Sequence, residues 1–366
     1  MGKASYKRLT GSQNLRQRLV LAAVASTPVL IEDIRAEETW PGLRPHEVSF
    51  LRLLEKVSDD CVVEINETGT KLKFKPGIVM GGRNLVHDCG LSRAVGYFLE
   101  PLIVLGLFAK KPLTITLKGI TNDSEDPSVD TFRSATLPML KHFGVPSEGL
   151  DLKIQSRGSA PQGGGEVFLS IPIVQSLTST GLMKGWLRGL EGLHSQQECP
   201  HSLKIPWCMQ LVESLISYSQ MFTYLQTIEV AHKLDKTTSG CCISADTAIS
   251  YSRGEDTAEL EDEGKKELMP PEDVGVQIAN VLLGEIEQGG VVDSTHQGFL
   301  FLLCALCPQD VSKVRVGKLS PHGIETLRNI KDFLGVKFVI KPDPSTGTVI
   351  LRCVGSGLRN LSRRIS

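Results

Sequence analysis

The chain is expected to adopt an α+β fold: three repeated β-α-β-α-β-β units around a pseudo-threefold axis, with a small inserted α/β domain. One order of apolar patterns comes round three times, over about residues 5–85, 90–178 and 277–360. A stretch of different character, 179–276, separates the second passage from the third. Apolar residues make up 41% of the 366, enough for a large core and well clear of a disordered composition. The copies share little sequence, so the repeat rests on element order.

In the first unit, "YKRLTG" is read as an opening strand and "RLVLAAVAS" as a helix. A turn at Ser26-Thr27-Pro28 then leads into a strand over Val29–Ile34. The run "RPHEVSFLRLLEKVSDD" places Val48, Leu51, Leu54 and Val57 on one helical face. The stretch "CVVEINETGTKLKFKPG" is a hairpin turning near Glu67–Thr70.

The second unit reads as the helix "LSRAVGYFLEPLIVLGLFA" and the strand "PLTITLKGIT". The helix "SVDTFRSATLPMLKHFGV" and the strands "LDLKIQSRG" and "GEVFLSIPIV" complete it. The third has the helix "GFLFLLCALC", the strand "SKVRVGKLS", the helix "GIETLRNIKDFLGV" and the strands "KFVIKP" and "GTVILRCVG". Residues 1–178 and 277–366 therefore form the core domain, and 179–276 the inserted one. The insert has its own helix and strands and ends in the acidic loop "RGEDTAELEDEGKKELMPPEDVG".

A net charge of −1 excludes a protein coated in positive charge, so any nucleic acid must meet a local patch. The polar, basic start "MGKASYKRLTGSQNLRQR" lacks an apolar signal region, and no apolar run reaches bilayer length. The nine cysteines, odd in number and irregular in spacing, read as reduced intracellular thiols. Cys304 and Cys307 form a CxxC inside "FLFLLCALC". With no second ligand pair at zinc spacing, they are read as core residues, and no metal is expected. The triple glycine Gly163–Gly165 runs into a strand rather than a helix. It is therefore read as a hairpin turn and not a phosphate loop.

The strings "SRGSAPQGGGEV", "IEDIRAEETWPGL" and "VDSTHQGFLFLLCAL" together resemble the RNA 3′-terminal phosphate cyclase superfamily over nearly the whole chain. Cyclases of that superfamily adenylate a histidine with ATP and pass the adenylate to an RNA 3′-phosphate. Position by position, the chain departs from their pattern. The family's acidic "EGGGQxLR" turn reads "LTGSQNLR" here, keeping Gln13 and Arg16 but placing Leu9 at the acid. The family's "RAGRxxPGL" reads "RAEETWPGL", keeping Arg35 and reversing charge at Glu38. Glu100 stands where cyclases carry glutamine, and Gly298-Phe299 where they carry Asp-Gln. His322, in "LSPHGIETLRNI", falls in register with the nucleophile.

Leu9, Glu38, Glu100 and Phe299 thus mark lost site positions, which leaves His322 as a relic with no catalytic residue and no cofactor. A basic cleft of Arg16, Arg35, Arg44, Arg328 and Lys331 is expected to meet RNA or a partner segment. Arg328 and Lys331 share a helical face. The resemblance implies a non-catalytic factor of early small-subunit ribosome biogenesis. It would be nucleolar, monomeric before assembly, and bound to a ribosome-assembly GTPase, pre-rRNA and the small-subunit processome. Two other readings stand beside it. One is an endonuclease cutting pre-rRNA with His322, Arg328, Lys331 and Asp332. The other is an active cyclase using His322.

Overall fold

The structure is a computed structural model that describes residues 6–123, 125–178, 284–285 and 288–360. The expected inserted domain and the acidic loop lie outside the described residues.

The first unit runs β1 (Lys7–Thr10), α1 (Leu15–Val24), β2 (Val29–Glu32), α2 (Pro45–Val57), β3 (Ser58–Asp59), β4 (Val62–Ile65), β5 (Leu72–Lys75) and β6 (Ile78–Val79). Its sheet has the order β1-β2-β5-β4, while β3 and β6 pair as a separate ribbon. Strand β1 is parallel to β2 and joined to it by α1, and the other pairs are antiparallel. That alternation follows from connection length, since only a parallel pair needs a helical crossover.

The second unit runs β7 (Gly82–Asp88), α3 (Gly96–Leu107), β8 (Leu113–Gly119), α4 (Val129–Thr131), a π-turn (Phe132–Thr136), α5 (Leu137–His142), β9 (Asp151–Ser156) and β10 (Gly165–Ile171). Its order, β7-β8-β10-β9, matches the first sheet, again with a parallel first pair. Pro138 has no N–H to give the carbonyl four residues back, and the π-turn just before it absorbs the interruption.

The third unit contains α6 (Gln297–Leu306), β11 (Val311–Val316), α7 (Pro321–Leu334), β12 (Val339–Asp343) and β13 (Thr348–Val354). Its three strands lie in the order β11-β13-β12.

Each sheet buries one face. Val29, Ile31, Leu72 and Phe74 point inward from the first, Ile115, Leu117, Val167 and Leu169 from the second, and Val314, Val316 and Leu351 from the third. Helix α6 is buried along its whole length and α3 nearly so, as suits helices apolar on every side. All these residues belong to one continuous core cluster. Cys304 and Cys307 lie within it beside Cys353, and burial pushes all three thiols up.

Two features differ from the sequence pattern or sharpen it. Strand β7 has only Leu85 and Val86 as adjacent apolar residues, too few for a period, yet it opens the second sheet beside β8. The β9–β10 connection is the expected hairpin, with Gly163 and Gly164 at φ 68° and 81°. A Cβ on Gly158 would lie 2.2 Å from the Gly165 nitrogen, so the hairpin needs glycine there.

Candidate functional site

Helices α1 and α2, the loop before α2 and the start of α3 bring together charges far apart in sequence. Arg35 sits in that loop with φ 47° and forks onto the Glu47 carboxylate at 2.7 and 2.8 Å. Glu47 is only 3% exposed, and it also accepts the Arg44 backbone N–H at 2.7 Å, closing the first turn of α2. The Arg44 guanidinium reaches back to Glu38 at 2.6 Å. Arg16, at the start of α1, pairs with Glu100 at 3.2 Å and Asp126 at 3.6 Å, and donates to the Tyr97 carbonyl.

The Tyr97 ring lies near two guanidinium carbons, Arg16 at 4.7 Å and Arg93 at 5.1 Å, with His46 edge-on at 5.0 Å. Arg93 itself holds Asp126 at 2.6 Å and Glu125 at 2.5 Å. The result is a knot of four arginines and five carboxylates. Arg35, gripping Glu47 bidentately, has no fork left for a phosphate, and the other three each spend one or two nitrogens on carboxylates.

Burial shapes the titrations. It drops His46 to about 4 and lifts Tyr97 to about 12. Burial raises Asp126 despite its two arginines, whereas the Glu47 carboxylate holds Arg35 above its ordinary value.

Helix α7 packs on α1 through a buried polar chain. The Gln17 amide donates to the Thr326 hydroxyl at 2.7 Å and accepts from Asn329 at 2.7 Å, and Thr326 donates to the His322 carbonyl at 2.9 Å. Ser320 caps α7 by accepting the Gly323 N–H. The His322 imidazole lies against Gly298, where an added Cβ would come within 2.9 Å of the ring. An aspartate there would have to displace the histidine.

Phe299 is buried in α6, and Leu9 packs against the core from β1. Both side chains serve packing. Farther along α7, Arg328 and Lys331 stay exposed, Arg328 with 69% of its side chain open and paired to Glu325 at 2.7 Å.

The five expected basic residues therefore divide. Arg16, Arg35 and Arg44 are bound to carboxylates, while Arg328 and Lys331 face outward. Sequence reasoning did not single out Arg93, Tyr97, Glu47, His46, Asp126 or Gln17. Tyr97 and Glu100, three apart near the start of α3, share a helical face and were the available signal, whereas Arg93 precedes the helix. Asp126 gives no such signal, because it reaches the knot from a loop.

Fold and site together define an α/β protein of several small sheets whose polar center is a network of internal ion pairs. The chain belongs to the RNA 3′-terminal phosphate cyclase family, whose model matches residues 7–340. It is 57% identical to a probable RNA 3′-terminal phosphate cyclase-like protein of Arabidopsis thaliana, covering 98% of this chain and 99% of that one. It is 40% identical to the human RNA 3′-terminal phosphate cyclase-like protein, over 97% of each chain. Similarity to the rRNA processing protein rcl1 of Schizosaccharomyces pombe is 36% identity over the whole of both.

Proposed function

We propose that this chain works in the processing of ribosomal RNA precursors, without cyclase chemistry of its own. The observation that carries this reading is the ion-pair knot. Glu38 and Glu100, at positions where the family resemblance places nucleotide-handling residues, bind Arg44 and Arg16 instead. With Arg35 forked onto Glu47 as well, three arginines suited to a triphosphate are paired from within. Losing a few charge-assisted contacts of about 1.5–3 kcal/mol each weakens ATP binding by orders of magnitude. The relative named as an rRNA processing protein supplies the process.

In its finer form the reading has three units around a pseudo-threefold axis, with 179–276 as an inserted domain. The protein acts in the nucleolus on the small-subunit branch, within the processome and bound to a ribosome-assembly GTPase. Arg328 and Lys331 on α7 engage RNA or a partner segment, and His322 is a relic.

The test is covalent adenylation. The full chain is mixed with α-labelled ATP and a divalent metal, denatured and run beside His322→Ala. No label on either protein is expected. Label on the wild type alone would make His322 a working nucleophile and end this reading. A companion assay with labelled pre-rRNA should show no cleavage, and cleavage lost on changing Arg328 and Lys331 to Glu would favor an endonuclease.

A further inference from the structure

The three sheets turn comparable outer faces away from the core, and those faces differ in charge. On the first sheet, the outward strand residues include Arg8, Lys73 and Lys75 against Glu32 and Glu64, with Lys73 paired to Glu64 at 2.8 Å. On the second, Lys118 and Lys153 face Asp88, Asp151 and Glu166, and both lysines are paired, at 3.6 and 2.8 Å. Among the described residues, the third face sets Arg315, Lys341 and Arg352 against one strand carboxylate, Asp343.

The third face is also unusually apolar. Its register lines up Val311 with Val354 in one row, Lys313, Arg352 and Val339 in the next, and Arg315, Ile350 and Lys341 in a third. Val311, Val339 and Val354 are 61%, 66% and 52% exposed. Alternation along the strands sends Ser312, Val314, Leu351 and Cys353 to the core, leaving these cations and valines together outside. Asp343 is spent on Arg315 at 2.8 Å; hydrogen bonds from Ser345 and this arginine hold its carboxyl at about 2.

We propose that the outer face of the β11-β13-β12 sheet is a docking surface for an acidic, amphipathic polypeptide segment of a partner protein. Carboxylates of that segment meet Lys341 and Arg352, and its apolar side chains cover Val311, Val339 and Val354. Charge complementarity sets the sign of the partner. The valines set its class: single-stranded nucleic acid is gripped by aromatic stacking as well as by cations, and none of these three strands carries an aromatic residue. A phosphate backbone would leave the valine rows facing charge.

The test uses the full chain and a fluorescent peptide in which glutamates alternate with leucines, read by anisotropy. Binding is expected to the wild type, weakened at least about tenfold by Arg352→Glu with Lys341→Glu and by several fold by Val339→Ser with Val354→Ser. Lys75→Glu on the first sheet should leave it unchanged. A second peptide with serines for leucines should bind the wild type several fold more weakly, a comparison independent of any variant's folding. The proposal is overturned if the peptide does not bind. It is equally overturned if Lys75→Glu costs as much as the double reversal, or if the serine peptide binds as well. Tighter binding of an oligouridylate of equal charge, lost in the same double reversal, would make the face a nucleic-acid surface and also overturn it.

Discussion

Around the starts of α1, α2 and α3, Arg16, Arg35, Arg44 and Arg93 meet Glu38, Glu47, Glu100, Glu125 and Asp126. Along α7, only four helical turns long, Arg328 meets Glu325 alone and Lys331 faces outward. Both regions are rich in cations, but they handle them in opposite ways. In the knot the cations are partly buried, and a carboxylate offsets each one's loss of water. On α7 solvent does that work, so the charges stay available to a partner. Counting cations along a chain therefore overstates an anion site wherever carboxylates arrive from another element.

The contrast breaks most visibly at Glu47. Glu47→Ala leaves Arg35 half-buried without its fork and removes the acceptor for the Arg44 N–H, so a loss of about 3–5 kcal/mol is expected. Urea denaturation checks it, and a loss near that of a surface pair would mean that the knot is solvated like α7. Next comes Gln17→Leu, which strands the Asn329 amide between α1 and α7. It should cost about 1–3 kcal/mol in the same measurement.

The third prediction is pH dependence. Burial holds both His46 and His87 at about 4 in the folded chain, below the ordinary histidine value of 6.5. The unfolded chain therefore binds more protons between those values. Stability is complete above that window and falls as pH drops from 6.5 toward 4, by at most about 1.4 kcal/mol per pH unit for each histidine. Denaturation midpoints across this range, with His87→Asn flattening the slope, test it; a flat wild-type profile would place both rings in water. The smallest effect belongs to α7. Glu325→Ala should change stability by no more than about 0.5 kcal/mol, because its partner Arg328 is mostly exposed. A large loss there would erase the contrast.

Much of the fold was legible in the chain. Helices α2 and α7 carry their burial in a helical period, and β8 and β10 alternate cleanly between faces. The Gly163–Gly165 turn was legible too, since only a glycine-rich hairpin suits its neighbors. Strand β7 was not, because its place is set by pairing with β8 rather than by an apolar pattern of its own. At the site, the odd charges Glu38 and Glu100 stood out against the resemblance, but their partners did not. Arg16 lies 84 residues before Glu100, and nothing in either neighborhood names the other.

Periods, turns and caps are written between neighboring residues, so the chain alone fixed its helices, most of its strands, its family and the positions where the family's polar residues are missing. Which arginines are neutralized and which remain open was settled only when α1, α2, α3 and the loop at Asp126 met in space. So was the uneven charge of the three outer sheet faces. Ion pairs form at a few ångströms, and pairs here join residues 33 and 84 positions apart along the backbone.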